Sequence, residues 1–477
     1  MKKTLIAATL IAATLAAPAA ELKLIPWPAK VTPQTGQFTL NEQTVVTADA
    51  PFTNEAALLA GELHLKCAAT ANENQIRLTT RGAEGLGEEA YRLEVDPQGA
   101  TIHAQSPAGA FYGCQTLRQL LKTEAHTLPQ VKIEDAPQFA WRGFMLDVSR
   151  HFFDQPTLLR LLDEMAGYKL NRFHIHLTDD QGWRLAIGKY PELTQTGARG
   201  NYSDQNAPPR FFTKAEMQEI VRYAAQRHIV VVPEIDMPGH AHAAARAFPK
   251  LGGGANTLNP ASEATYDFLQ NVLLEVMDIF PSPWIHVGGD EVNAGAWNKN
   301  AEVAKEMQAK GFADTQQLRK AFMQRMARFI EEHGRTTAVW HEALATEPDP
   351  QTVIFLWRPI QAALKKALAT GHPVVLTPAE PFYFSARAKD AAGNQTFRNT
   401  LEAVYRGTSL LTNVPPAQFK QILGLQACVW TEHIGSVPEL DNAIMPRLAA
   451  LAETAWTPDA VRNFAQFQAR LKSSANQ

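Results

Sequence analysis

Trp284-Ile285-His286-Val287-Gly288-Gly289-Asp290-Glu291 joins an apolar, strand-like run to a glycine pair and then to two adjacent carboxylates. Gly and Asp favour turns for conformational reasons alone, so in isolation the run reads equally well as a strand leading into a solvated loop. Its neighbours decide. From Trp141 onward the chain repeats one unit: an apolar strand, a polar turn, an amphipathic helix. Strands are predicted at Gly143–Val148, Asn171–Leu177, Ile229–Ile235, Trp284–Val287, Thr337–Trp340, Val353–Trp357, Pro373–Leu376 and Leu425–Trp430. Helices between them are predicted at Pro156–Tyr168, Lys214–Arg227, Ala264–Phe280, Thr315–Glu332 and Ile360–Ala369, with a long, irregular seventh connection. Eight such units predict an α/β fold, a (β/α)8 TIM barrel forming a catalytic domain over residues 138–477. A doubly wound open sheet is the rival, but no Gly-rich phosphate fingerprint follows the first strand.

At 477 residues the chain is too long for one ordinary domain. Residues 21–137 alternate strands near Thr44–Thr47, Gln75–Thr79, Tyr91–Val95 and Ala100–Ala104 with helices at Asn54–Lys66 and Pro107–Lys122, a small α+β domain ahead of the barrel. Residues 1–20 carry Lys2 and Lys3, an apolar stretch from Leu5 to Ala17, and the small residues Ala17-Pro18-Ala19. That is the pattern of a secretory signal peptide, and its apolar run is shorter than the roughly 20 residues a membrane span needs. A periplasmic or secreted enzyme is therefore expected. Removing the segment shifts the balance from 45 basic against 48 acidic residues (−3) to 43 against 48 (−5), which argues against nucleic acid as a partner. No later segment is long and apolar enough to span a bilayer. Cys67, Cys114 and Cys428 allow at most one disulfide.

In a barrel of this kind the active site forms at the carboxyl ends of the strands. Strand one ends in Asp147, followed by Arg150, and strand two in Thr178-Asp179-Asp180. Strand three gives Glu234, Asp236 and then His240, and strand four Asp290-Glu291. Strand five ends in Trp340 with Glu342 beyond it, strand six in Trp357, strand seven leads to Tyr383, and strand eight gives Trp430 and Glu432. Indole faces stack on the C–H faces of sugar rings, and carboxylates and arginine bind hydroxyls at the ring edge, so this rim has the composition of a carbohydrate pocket. Adjacent residues of an extended backbone point apart, so Asp290 and Glu291 are expected to hold different tasks.

The chain resembles the β-N-acetylhexosaminidases of glycoside hydrolase family 20, of the exported bacterial type. The likeness rests on Trp141-Arg142-Gly143-Phe144-Met145-Leu146-Asp147-Val148-Ser149-Arg150-His151-Phe152, on His174-Ile175-His176-Leu177-Thr178-Asp179-Asp180-Gln181-Gly182-Trp183-Arg184, on Pro233-Glu234-Ile235-Asp236-Met237-Pro238-Gly239-His240, and on the opening run. Phe111-Tyr112-Gly113-Cys114-Gln115-Thr116-Leu117 resembles part of the small domain that precedes the barrel in that family.

The resemblance implies exo removal of a terminal N-acetylglucosamine or N-acetylgalactosamine from an oligosaccharide or glycoconjugate. It also implies a retaining mechanism in which the sugar's own 2-acetamido carbonyl attacks the anomeric carbon to give an oxazolinium. By the same resemblance Glu291 is the general acid and later base, Asp290 orients the acetamido N–H, and Tyr383 donates to its carbonyl. Asp179 and His240 hold the acid in place, Arg150 and Glu432 bind the terminal sugar's hydroxyls, and Trp340, Trp357 and Trp430 wall its acetamido group and ring. As an acid, Glu291 is expected to have its proton affinity raised by burial and by the charge of Asp290. One position departs from the family: two residues after Tyr383, where an acidic side chain is common, stands Ser385, which leaves recognition of the sugar's outer edge and the gluco/galacto preference open.

No cofactor and no metal are expected. The alternatives are a metal-dependent barrel hydrolase, raised by the His174-x-His176 spacing, and a sugar-binding protein without catalysis. Against the first, no third histidine or bridging lysine is evident at a later strand end. Against the second, Asp290, Glu291 and Tyr383 are all present.

Overall fold

The computed structural model describes residues 22–121, 126–358, 360–389 and 395–475. The expected signal peptide, residues 1–20, lies outside them. The chain divides into two compact units, one of residues 1–136 with 463–477 and one of residues 137–462.

The first unit is a seven-stranded mixed sheet in the order Lys30–Thr39, Thr127–Asp135, Tyr91–Asp96, Gly99–Ala104, Gln75–Thr79, Val45–Ala48, Lys66–Cys67. Along Tyr91–Asp96 the residues Tyr91, Leu93 and Val95 are buried and alternate with half-buried Arg92 and Glu94, the period of two that a sheet covered on one face requires. Helices Thr53–Glu62 and Pro107–Leu121 belong to the same unit. Three of its strands, Lys30–Thr39, Thr127–Asp135 and the two-residue Lys66–Cys67, fall outside the expected set, the last because the helix expected over Asn54–Lys66 ends at Glu62; the first is mostly exposed or half-buried, so it carries little apolar alternation to read. The expected barrel domain ran to the chain end, but the last helix, Phe464–Ala475, groups with the N-terminal unit.

The second unit is a closed barrel of eight parallel strands: β1 Trp141–Asp147, β2 Arg172–His176, β3 Val230–Glu234, β4 Trp284–His286, β5 Thr336–Trp340, β6 Val353–Leu356, β7 Val374–Leu376 and β8 Ile422–Val429. Every expected strand is present, with ends shifted by a few residues. The largest shift is at the start of β8, where Gly424 (φ +154°) hides the strand: a Cβ there would lie 1.9 Å from the Trp141 carbonyl oxygen. Side-chain caps fix several helix starts, including Asp154 before Gln155–Gly167 and a reciprocal Thr213/Glu216 box before Lys214–Ala225. Two helices after β8, Val437–Ile444 and Arg447–Trp456, were not in the sequence-based set.

Inside the barrel, Trp141, Met145, Val232, Ala338, Trp340, Val353, Phe355, Val375 and Cys428 form one buried cluster. Burying an aliphatic or phenyl side chain contributes about 1.5–3 kcal/mol. Such an interior supplies stability without polar groups, so the charged residues set into it call for another explanation. Cys67, Cys114 and Cys428 are all free thiols, the first exposed and the others buried. Among the described residues no helix is long and apolar enough to cross a membrane.

Candidate active site

The register of β1 to β4 places Asp147 beside His176, His176 beside Glu234, and Glu234 beside His286. All four side chains are buried. An isolated carboxylate at the position of Glu234 would neutralise rather than carry charge there. Instead Trp340 Nε1 donates to its Oε1 (2.7 Å) and His176 Nδ1 to its Oε2 (2.7 Å), while His174 Nε2 and His286 Nδ1 each stand 3.0 Å away. Although burial alone would raise its proton affinity, the surrounding imidazoles hold Glu234 well below the usual carboxylate range.

Both nitrogens of His176 face carboxylates, Nδ1 towards Glu234 and Nε2 towards Asp179 (2.7 Å), so both carry protons and the ring is a cation. Burial opposes that charge, yet the two acids raise its pKa to about 10. His174 differs. Gln426 donates to its Nδ1 (3.0 Å), and burial pushes its pKa down to about 4, leaving it neutral. His286 is the third histidine that the sequence reading did not place. His174, Glu234 and His286 lie close enough to share a cation, but Glu234 already receives N–H groups from His176 and Trp340.

Asp179 carries the network to the rim. Its Oδ2 takes Arg150 at 2.7 Å, and its Oδ1 meets His240 Nδ1 at 3.1 Å. Burial disfavours its charge, but Arg150 and His240 outweigh that and hold the carboxyl well below its ordinary range. His240 is likewise raised, against burial, to about 9 by Asp179 and Asp290. Arg150 also pairs with Asp147 (3.4 Å) and lies 5.1 Å over the Trp430 ring. Asp147 accepts from the backbone N–H groups of Ser149, Arg150 and Thr431, tying the ends of β1 and β8 together.

Gly288 (φ +62°) explains the glycine pair: a Cβ there would sit 1.7 Å from Asp236 Oδ1, so no larger residue fits beside that carboxylate. Asp236 itself is raised well above its usual range by burial and by Asp290, Glu234 and Asp179. Asp290 is buried, and burial raises it to about 6, with His240 opposing and Glu234 and Glu342 adding.

The expectation that Glu291 would be the buried acid is corrected. Its side chain is 51% exposed and stands 3.4 Å from Arg358; the burial falls on Asp290. Nor is the backbone extended. Glu291 (φ +46°) and His240 (φ +47°) are both left-handed, a conformation costing on the order of 1–3 kcal/mol that the surrounding contacts must hold. The turn swings both carboxylates towards one imidazole, Asp290 Oδ2 and Glu291 Oε2 each lying 3.7 Å from His240 Nε2.

Around this acid pair stand the aromatic residues. Trp340 is fully buried; Trp430 lies 5.8 Å from it and 6.0 Å from Tyr383, and Trp357 stacks on Tyr383 at 6.0 Å with a 12° interplanar angle. Trp357 Nε1 donates to both oxygens of Glu342 (3.1 Å each), which locks that ring. Glu432 is raised by burial, with Arg150 acting against it. Ser385, at the departing position, accepts a hydrogen bond from the Trp430 backbone (3.1 Å), so its hydroxyl pins the end of β8.

The site thus brings Asp179, His240, Asp290 and Glu291 into one connected group with Arg150, and sets Trp340, Trp357, Tyr383 and Trp430 against one another. The sequence reading gave no role to Glu234, Asp236, Glu342, His286 or Arg358. For Asp236 a signal was present, because two consecutive glycines before paired acids mark a place where something fills the Cβ position.

The charges set a direction for stability against pH. His176 and His240, raised from 6.5 to about 10 and about 9, contribute stability that is complete below 6.5 and lost as pH climbs through those values. Asp290, raised from 3.8 to about 6, acts in the same direction over that lower window. Asp179 and Glu234, both lowered, contribute stability above their ordinary values of 3.8 and 4.5 and lose it as pH falls below them. The thermal midpoint is expected to fall steadily from pH 7 to pH 10, with a smaller slope in His240→Gln. A flat midpoint over that range, followed by circular dichroism, would contradict these charge assignments.

The family described as "Glycosyl hydrolase family 20, catalytic domain" matches residues 139–459, and "Glycosyl hydrolase family 20, domain 2" matches residues 21–136. A "Beta-hexosaminidase" of Porphyromonas gingivalis is 32% identical over 491 aligned positions, covering 95% of this chain and 63% of the relative, so the chain spans less than two thirds of that protein. A "Beta-N-acetylhexosaminidase" of Cellulomonas fimi is 32% identical, covering 92% of this chain and 90% of the relative. Among solved structures, the exo β-N-acetylglucosaminidase of Vibrio harveyi in complex with N-acetylglucosamine superposes with a TM-score of 0.89 at 31% identity, covering 97% of this chain and 78% of that one.

Proposed function

The chain belongs to glycosyl hydrolase family 20 and is a glycoside hydrolase, and from that premise we propose that it is an exo-acting β-N-acetylhexosaminidase that releases terminal, non-reducing N-acetylglucosamine or N-acetylgalactosamine by a substrate-assisted, retaining mechanism. The observation that carries the reading is the division of labour in the acid pair: Asp290 buried and Glu291 half exposed, both within 3.7 Å of one imidazole.

Glu291, at the solvent side, protonates the departing oxygen and then, as a base, draws a proton from water. Asp290 accepts the acetamido N–H, which aims the carbonyl oxygen at the anomeric carbon. As the carbonyl bonds to that carbon, positive charge spreads over the forming ring, and the buried carboxylate stabilises it in a setting with little water to screen it. Tyr383 donates to the carbonyl oxygen, and Trp340, Trp357 and Trp430 hem in the acetamido methyl and the sugar face. Arg150 and Glu432 take the hydroxyls of the terminal sugar. Asp179 positions His240, which faces both acids.

The basic and apolar start of the chain supports export, and the proposed setting is the periplasm or the exterior. Both can be tested. The purified protein is expected to release phenol from an aryl N-acetyl-β-glucosaminide with β-configured N-acetylglucosamine as the first product; absence of turnover by folded protein that still binds the sugar would replace the hydrolase with a binder. Fractionation of cells expressing the full chain is expected to give a mature form lacking residues 1–20 outside the cytoplasm.

A further inference from the structure

Arg358 is the one cation within 4 Å of Glu291, apart from His240, among the described residues. Its guanidinium lies 4.0 Å over the ring of Trp357, which Glu342 holds through two hydrogen bonds. The platform under Arg358 is therefore held in place, while the Arg358 side chain is 65% exposed. Its partner is temporary. In the reading given above, Glu291 must be neutral when it protonates the departing oxygen, and a neutral carboxyl no longer satisfies the cation 3.4 Å away. The sugar to be cleaved fills the buried side of the site, with Asp290 and the aromatic walls, so the leaving group lies on the solvent side, where Glu291 and Arg358 stand.

We propose that Arg358 forms a leaving-group subsite that selects substrates whose departing part carries an oxyanion near the scissile bond, a sugar acid bearing a carboxylate above all. A planar guanidinium matches a carboxylate in two parallel N–H···O bonds, which an ammonium or an amide cannot reproduce. The anion would replace the charge that Glu291 gives up on protonation. This rests on the proposed hydrolase reading and adds the chemical class of the aglycone.

The experiment compares N-acetyl-β-glucosaminides of 3-carboxyphenol, its carboxamide, and 3-sulfophenol, in the wild type and in Arg358→Gln. The quantity read is the ratio of kcat/KM for the anionic over the neutral substrate, which cancels any effect of the substitution on Glu291 itself. The wild-type ratio is expected to exceed that of Arg358→Gln by about 1.5-fold to fivefold, the range of a solvent-exposed ion pair, and to shrink as salt is added. A larger excess for carboxylate than for sulfonate assigns the site to sugar acids, and the reverse order assigns it to sulfated ones. Equal ratios in the two proteins would overturn the proposal. Lack of turnover of the carboxamide by the wild type would instead overturn the hydrolase reading on which it rests.

Discussion

Glu291→Gln is expected to hydrolyse N-acetyl-β-glucosaminides with poor, sugar-like leaving groups about 10²- to 10⁴-fold more slowly than the wild type, with KM little changed. Glutamine keeps the shape and cannot give up a proton to the departing oxygen. For an activated nitrophenyl leaving group, which departs without protonation, the first step should be nearly unaffected and the second step, attack by water, should become limiting. A burst of nitrophenol equal to the enzyme concentration is the signature to measure. Because Glu291 is half exposed and on the surface side of the barrel, the substitution should leave the fold intact, so the comparison reports chemistry. A variant with near wild-type rates on a disaccharide would remove Glu291 from the role of acid.

The larger effect is expected from the substrate. Exchanging the 2-acetamido group for a hydroxyl, as in an aryl β-glucoside, should lower kcat/KM on the order of 10⁵-fold, since an internal nucleophile held in place reaches effective concentrations of about 10⁵–10⁸ M. Asp290 makes the test specific. Asp290→Ala should lower the rate steeply for the acetamido substrate and much less for the glucoside, because its carboxylate has no acetamido N–H to orient in the latter. Equal losses on both sugars would mean that Asp290 serves the fold or a substrate nucleophile is not used. The acid limb of the wild-type rate profile gives a further reading: Asp290 is held at about 6, and below that pH it takes up a proton and loses the charge that steadies the oxazolinium.

Much of this was legible in the sequence because barrel strands end where the chemistry begins. Reading only the residues after each apolar run picked out Arg150, Asp179, His240, Asp290, Trp340, Trp357, Tyr383 and Trp430, which the structure sets close to one another. What escaped depends on where side chains go once the barrel closes. Val230–Glu234 reads as a hydrophobic strand with a terminal acid, and nothing local tells that Glu234 turns inward to meet a tryptophan 106 positions along the chain. Glu291 misled for a related reason. Its exposure follows from a left-handed backbone that a non-glycine residue adopts only under tertiary constraint, so neither residue type nor spacing could announce it.

The inward turn of Glu234 also bears on how the chain assembles. Its compensating groups arrive from β2, β4 and β5, and the Trp340 donor comes last in sequence. A nascent chain that reaches only as far as β3 has His176 of β2 but neither His286 nor Trp340, so Glu234, buried in the finished barrel, stays hydrated or protonated until β4 and β5 dock. The segment from β2 to β5 therefore gains little by closing in steps, and its docking is bound to an ionisation event. Truncations or circular permutations that break the chain between Arg172 and Trp340 will separate these partners, whereas a new terminus beyond β6 leaves them in one continuous stretch.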